Sequence, residues 1–140
     1  MPYYVAKMSK KRNSKNYDQN IIEALQKLPE IIEDKKHNLL IYVRNDQARS
    51  NETRFEHIAK NAHELKVRDI EAIPEGITGY VKFRKSENLK ETYYYYIKRK
   101  SNLKGYIQLA VKLYEGEKNK AYIKTIFITY SVKWMYQRKK

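Results

Sequence analysis

Three histidines, His37, His57 and His63, are the side chains of this sequence whose charge ordinarily changes near neutral pH. His57 and His63 lie six residues apart in the segment RFEHIAKNAH, and on a helix that spacing turns them about 120° away from each other. They are therefore not the i, i+4 pair that holds a metal. The sequence also has no cysteine and no HExxH motif, so we expect no metal site and no cofactor.

Proton transfer without a metal is the chemistry that remains. Cleavage of a phosphodiester through a 2′-hydroxyl needs a proton acceptor, a donor for the leaving oxygen, and cations for the charge that develops. His57 flanks an apolar stripe, so it could exchange protons where a helix meets a sheet. Thr125 and Thr129, in the segment KTIFIT, fall on one strand face and could bind a phosphate. Threonine is also a good strand former, and that plainer interpretation stays open.

Four consecutive tyrosines stand directly before a cationic run in the segment ETYYYYIKRK. Because successive side chains of a strand point to opposite faces, Tyr93 and Tyr95 should lie in the core with Ile97. The opposite face would then combine rings for base stacking with charges for phosphates. The alternative is a solvated face whose tyrosines pack across strands. The predicted RNA-binding residues are Lys82, Arg84, Tyr94, Tyr96, Lys98 and Lys100.

The charge of the chain indicates what kind of partner it has. The 140 residues carry 30 Lys and Arg against 16 Asp and Glu, a formal net charge of +14. A charge this large attracts polyanions, so a nucleic acid or an acidic protein is the expected partner. No apolar run of signal-peptide or membrane-spanning length is present, and we expect a cytoplasmic protein that does not enter a membrane.

The order of predicted elements favours an α+β fold in one compact domain, with N-terminal helices packed on a C-terminal four-stranded antiparallel sheet. Residues 1–16 read as a flexible basic arm, and residues 17–52 as an accessory region with a helix at 18–33 and a strand at 39–43. Helices are predicted over 53–65 and 67–73. Four strands joined by short turns are predicted near 80–85, 92–100, 105–114 and 121–132.

This arrangement resembles the barnase–EndoU–colicin–RelE superfamily of ribonucleases, in particular its phage-associated branch. The resemblance rests on a histidine-bearing helix and a second short helix in RFEHIAKNAHELKVRDIEAIPEGI, followed by a meander that ends in KTIFITY. It covers residues 53–140 as a nuclease region, and most closely residues 53–132. One departure is that Ala62 precedes His63, where the branch usually has a basic residue.

The resemblance implies a metal-independent ribonuclease, a toxin or an effector of a phage or mobile element, that cleaves tRNA or another RNA. It implies catalytic roles for His57, His63 and Lys112, and for the threonine of the last strand, Thr125 or Thr129. A toxin of this kind would need an acidic immunity or antitoxin protein as its partner. Two alternatives stay open: a non-catalytic protein that binds nucleic acid or acts as an inhibitor, and a structural protein with a basic surface.

Overall fold

The computed structural model describes residues 17–60 and 64–130. The helices of this part are α1 (Gln19–Gln26), α2 (Arg54–Lys60), α3 (Val67–Glu71) and α4 (Ile73–Thr78). Its strands are β1 (Ile31–Asp34), β2 (Leu39–Tyr42), β3 (Gln47–Arg49), β4 (Glu52–Thr53), β5 (Lys82–Lys85), β6 (Thr92–Lys98), β7 (Tyr106–Leu113) and β8 (Lys120–Thr129). The predicted basic arm and the end of the last predicted strand lie outside the described residues.

The prediction of an α+β fold, with N-terminal helices packed on a four-stranded antiparallel sheet, is wrong. The fold is a mixed α/β arrangement around a six-stranded sheet with the order β1-β2-β8-β7-β6-β5. β2 runs parallel to β8, with Leu40 opposite Lys120 and Tyr42 opposite Tyr122, while the other neighbours in this sheet are antiparallel. Residues assigned to an accessory region therefore supply two strands of the main sheet. β3 and β4 form a separate two-stranded hairpin.

The predicted helix at 18–33 ends early because of its sequence. Asp18 caps α1 through its carboxylate, which accepts from the backbone N–H groups of Asn20 and Ile21. The helix ends at Gln26, before Pro29, which cannot continue it. The segment Ile31–Asp34 then alternates between exposed and buried side chains, the pattern of a strand with one covered face. This strand is β1.

The sheet curls until its two edges approach each other. β1 and β5 are the edge strands in the hydrogen-bonding order. The β1 residue Asp34 nevertheless accepts a hydrogen bond from Tyr95 of β6, and His37, in the turn after β1, stacks on Phe83 of β5. Side chains from one edge thus cross to the strands of the other.

Helices cover one face of the sheet, called here the inner face. Its side chains pack with those of the helices in a single core: Ile32, Ile41, Tyr95, Ile97, Ile107, Leu109, Val111, Ile123 and Ile126. In the strands from β5 to β8, the residues that alternate with the inner-face residues, and lie opposite one another in the ladders, form the opposite, outer face. They are Lys82, Arg84, Thr92, Tyr94, Tyr96, Lys98, Tyr106, Gln108, Ala110, Lys112, Tyr122, Thr125, Phe127 and Thr129.

Two close contacts join the helices to β6. Gly76 of α4 lies so near Ile97 that a Cβ atom built on the glycine would be 2.6 Å from Ile97 Cγ2. Beyond the strand, Arg99 is buried and binds Asp69 of α3 through both carboxylate oxygens, at 3.0 and 2.8 Å. Arg99 also donates to the carbonyl oxygens of Glu64 and Lys104. This arginine of the cationic run is therefore part of the fold and not of an exposed basic surface.

Candidate nucleic-acid interface

The outer face carries five of the six predicted RNA-binding residues. Lys82 lies opposite Tyr96 and Arg84 opposite Tyr94, while Lys98 lies opposite Tyr106. No outward position of β5, β6, β7 or β8 holds a carboxylate. In the part of the chain that the structure describes, neither Lys82 nor Lys98 forms an ion pair. The charge of this face is therefore positive from its β5 edge to β8.

The sixth residue, Lys100, lies elsewhere. It follows the end of β6 and pairs with Glu75 of α4. The hydrogen bond from Lys100 and its positive charge lower the pKa of the Glu75 carboxyl. Both side chains are largely exposed, so we expect the pair to contribute little to stability.

Arg84, Tyr94 and Tyr96 form a cation–aromatic group on the outer face. The guanidinium of Arg84 is 4.9 Å from the centre of the Tyr94 ring and 6.0 Å from that of Tyr96, and it donates to the Tyr96 hydroxyl at 3.4 Å. Burial raises the pKa of Tyr96, although Arg84 opposes that shift. Tyr96 is only 1% exposed, so the partly exposed ring of Tyr94 is the one of this pair that a base can reach.

Three cations meet where β7 and β8 are interrupted by an irregularity in their ladder. Lys112 of β7, Lys124 of β8 and Arg54 of α2 are close enough that Lys112 and Arg54 both lower the pKa of Lys124, after the larger effect of burial. Arg54 donates to the Lys124 carbonyl oxygen at 3.4 Å and pairs with Asp46 at 3.0 Å. Within the described residues, Lys112 and Lys124 have no carboxylate within ion-pair distance. We call these three residues the cation cluster.

A cavity of about 1080 Å³ opens beside the cation cluster. Arg54 and Lys112 line it together with Tyr114 and Tyr122, whose ring centres are 5.0 Å apart. The guanidinium of Arg54 lies 5.2 Å from the Tyr122 ring centre. Loop carboxylates also line the cavity, at Asp46, Glu91, Glu115 and Glu117. The space is large enough for a nucleotide, with aromatic walls for a base and lysine and arginine for a phosphate.

The two threonines of the last strand are on the outer face but at different places. Thr125 lies opposite Ala110, beside Lys124 and two residues along β7 from Lys112. Its hydroxyl is buried and has no hydrogen-bond partner among the described residues. Thr129 lies opposite Tyr106, and the separation of four positions between the threonines corresponds to roughly 13 Å of strand. Lys112 and Thr125 are thus neighbours, while Thr129 is at the far end of β8.

His57 is held by a buried carboxylate that several groups share. Its Nδ1 is 2.9 Å from Glu52 Oε1, and Glu52 also accepts from Lys60 at 2.8 Å and from the Tyr17 hydroxyl at 3.1 Å. Burial opposes ionisation of Glu52, but these hydrogen bonds more than offset it and lower its pKa from 4.5 to about 2. His57 lies one helical turn from Arg54 of the cation cluster. His63 lies outside the described residues.

A second histidine–carboxylate pair was not predicted from the sequence. His37 Nδ1 lies 2.8 Å from Asp34 Oδ2, and Asp34 is buried on the inner face. The one sequence signal was the spacing of an aspartate three residues before a histidine, which is common in surface turns. Arg54 and Lys124 were also missed, since their proximity depends on how α2 lies against β8.

Comparison of the chain with protein-family models, with curated proteins and with solved structures gave no match. The likeness to the ribonuclease superfamily therefore stays a prediction from the sequence. Within the described residues, no group of three His, Cys, Asp or Glu side chains could hold a metal ion. No helix in the described part is long and apolar enough to cross a membrane.

Proposed function

We propose that the protein binds single-stranded RNA on the outer face of its sheet. The observation that carries this proposal is the cation cluster, in which Arg54 donates to the Lys124 carbonyl oxygen at 3.4 Å and lines the cavity together with Lys112. Holding like charges together in a partly buried place lowers the stability of the fold. A polyanion bound there would remove that repulsion, and a chain of phosphates would also reach Lys82 and Lys98 on the same face.

Aromatic rings beside these cations would hold the bases. Tyr94 is partly exposed on the outer face, and Tyr114 and Tyr122 line the cavity next to Lys112. Stacking of a base on a tyrosine contributes roughly 1–3 kcal/mol and is open to every base, so it favours single strands and gives little sequence preference. A duplex covers the faces of its bases, and we expect it to bind through its phosphates alone.

Salt-dependent RNA binding tests this proposal. A labelled single-stranded RNA of about 20 nucleotides would be titrated with the protein at several salt concentrations, by fluorescence anisotropy. If the three residues of the cation cluster and the two lysines Lys82 and Lys98 each neutralise one phosphate, log Kd should rise with log salt with a slope of about 3.5, because each of these contacts on a single strand contributes about 0.7. Replacing Lys112 and Lys124 together by Ala should weaken binding at least 10-fold and lower the slope by about 1.4.

A lysine on the helical side of the protein provides the matched control. Lys27 is the exposed C-cap residue of α1, so Lys27→Ala removes the same charge from another surface. We expect its affinity and salt slope to stay close to those of the parent. Binding that is independent of salt, or a Lys27→Ala loss as large as that of the variant with both Lys112→Ala and Lys124→Ala, would contradict the proposed face. Comparing the Kd for single-stranded DNA of the same sequence with that for the RNA measures how much the 2′-hydroxyl groups contribute to binding.

Metal-independent cleavage of the bound RNA is a second candidate function. We infer it from one feature: both described histidines lie with Nδ1 in position to donate a hydrogen bond to a buried carboxylate, His57 to Glu52 and His37 to Asp34. A carboxylate in this position orients a histidine that exchanges protons with a substrate. The sequence resemblance supports RNA, including tRNA, as the substrate, and an acidic immunity or antitoxin protein as the partner of such an enzyme.

A further inference from the structure

Asp34 and His37 form a pair with two hydrogen bonds at the end of β1. The backbone N–H of His37 donates to Asp34 Oδ1 at 3.2 Å, and Nδ1 of the ring lies 2.8 Å from Oδ2. The Asp34 side chain is 3% exposed, and Tyr95 donates to its Oδ2 at 2.5 Å. Among the described residues, His37 is the only potentially cationic group that pairs with Asp34.

The other ring nitrogen of His37 faces a hydroxyl. Its Nε2 lies 3.4 Å from the Tyr80 hydroxyl oxygen. When Nδ1 carries the proton and donates it to Asp34, Nε2 of the neutral ring is an acceptor. A carboxylate, a histidine and a hydroxyl thus follow one another in the order of a proton relay. The 3.4 Å distance is longer than a strong hydrogen bond, as is common in such sites before a substrate is bound.

Aromatic rings and lysines around His37 could hold a nucleotide. The His37 ring stacks on Phe83 at 3.8 Å, and Phe83 stacks on Tyr93 at 5.5 Å. Lys85 Nζ is 6.0 Å from the Tyr93 ring centre, and Lys36 Nζ is 5.5 Å from that of Tyr80. The His37 side chain is 24% exposed. The site therefore combines a reachable imidazole, rings on which a base can stack, and cations for a phosphate.

This site lies at the border of the proposed RNA-binding face. Phe83 stands between Lys82 and Arg84 on β5, the edge strand, so its ring and their cations are separated by the thickness of one strand. An RNA strand that follows the outer face past Lys82 can cross this edge and reach His37.

His57 is less suited to the same role. Its carboxylate, Glu52, is already neutralised by Lys60 at 2.8 Å and lies 3.9 Å from Arg49. Glu52 is therefore a shared partner of several side chains and does not serve to position the histidine alone. Within the described residues, Asp34 forms an ion pair with His37 alone, so no lysine or arginine competes with the histidine for this carboxylate.

We propose that His37 is the catalytic acid–base of a metal-independent RNA cleavage, with Tyr80 as its relay and Asp34 as the positioning residue. The 2′-hydroxyl oxygen attacks the adjacent phosphorus, and its proton passes through the Tyr80 hydroxyl to Nε2 of His37. The bond from phosphorus to the 5′-oxygen breaks, and that oxygen takes a proton back from the imidazolium. The products are a 2′,3′-cyclic phosphate and a 5′-hydroxyl end. This inference rests on the proposed RNA binding.

The test incubates a single-stranded RNA with the parent protein in EDTA, beside His37→Ala, His57→Ala, Tyr80→Phe and Asp34→Asn variants. We expect fragments with cyclic-phosphate and 5′-hydroxyl ends from the parent. His37→Ala should cut at least about 100-fold more slowly than the parent and more slowly than His57→Ala, and Asp34→Asn should cut with a changed pH profile. Added imidazole should restore cutting by His37→Ala, which a merely structural histidine would not allow. An RNA with 2′-deoxy sugars throughout should stay intact.

Binding measured in parallel separates this inference from the proposed function. RNA that is bound but not cut by the parent would overturn the cleavage site and leave the binding face standing. Cleavage that needs His57 and not His37, or a folded His37→Ala variant as active as the parent, would also overturn it. If RNA is neither bound nor cut, both proposals fail. Thermal unfolding of each variant establishes that it is folded.

Discussion

Tyr95 donates its hydroxyl hydrogen to the carboxylate of Asp34 at 2.5 Å, although the two residues are 61 positions apart. They belong to β6 and β1, which lie near opposite edges of the six-stranded sheet. Burial and the hydrogen bond to Asp34 raise the pKa of Tyr95. Burial opposes ionisation of Asp34, but its hydrogen bonds from Tyr95 and His37 together outweigh that effect and lower its pKa. This bond joins the two ends of the curl.

Tyr95→Phe should destabilise the protein by about 2 kcal/mol, because it leaves a buried carboxylate oxygen with one partner fewer. Urea unfolding followed by circular dichroism measures the change. Tyr93→Phe is the matched control, since its hydroxyl makes no hydrogen bond in the described part of the chain and it lies on the same strand. Equal losses of stability in the two variants would mean that the hydrogen bond from Tyr95 to Asp34 does not stabilise the fold.

Glu52→Gln should make the protein less sensitive to acid. The pKa of Glu52 is about 2 in the folded chain against 4.5 in its ordinary state. Its contribution is therefore fully present above pH 4.5 and is lost as the pH falls through 2. We expect the variant to be about 2 kcal/mol less stable at neutral pH, with the difference shrinking between pH 4.5 and 2. Thermal unfolding across this range measures it, and a constant difference at every pH would contradict the assignment.

Gly76→Ala should destabilise the contact between α4 and β6. The added methyl group would lie 2.6 Å from Ile97 Cγ2, and overpacking of this kind typically costs about 1–3 kcal/mol. Because Ile97→Ala removes the clashing atom, the double variant should lose less stability than the sum of the two single variants. Chemical unfolding of all four proteins gives this coupling, and strict additivity would show that the helix moves away freely.

Lys112→Ala should raise the pKa of Lys124 towards its ordinary value, since Lys112 is one of the two cations that lower it. NMR titration of the lysine side chains reports this directly. Removing the repulsion should also leave stability unchanged or raise it by up to about 0.5 kcal/mol. Lys118→Ala, which removes an exposed lysine from the wall of the same cavity, serves as the control. An unchanged pKa of Lys124 would mean that burial and Arg54 set it without Lys112.

The C-terminal strands could be predicted from the sequence, and the sheet as a whole could not. Alternating residues such as Ile107 and Leu109 mark a strand with one covered face, and β6, β7 and β8 fall within a few residues of their predicted bounds. β1 was read as the end of a helix, because Ile31 and Ile32 follow Leu28 at a spacing that also fits a helix. The pairing of β2 with β8 leaves no local trace in either segment.

Only part of the candidate site could be predicted, because local alternation along a strand can be read from the sequence and contacts between distant segments cannot. Alternation along β5 and β6 is local, so Lys82, Arg84 and Tyr94 could be assigned to one face before the structure was known. Lys112 was named by resemblance, and its neighbour Lys124 depends on a ladder irregularity between Ala110 and Val111. The meeting of His37 with Tyr80 follows from the curl of the sheet, which is set by packing and not by periodicity.

The parallel pairing of β2 with β8 has a consequence for how the chain is made. Leu40 can form its ladder pair only after Lys120 has been synthesised. At a synthesis rate of roughly 5–20 residues per second, the time between the synthesis of these two residues is about 4–16 s. Until then β2 leaves the ribosome with an unpaired, apolar edge. Closing such a long loop comes late and is slow. Of the described strands, β8 is the last to be translated, so the β2 edge of the sheet stays unpaired until β8 is made.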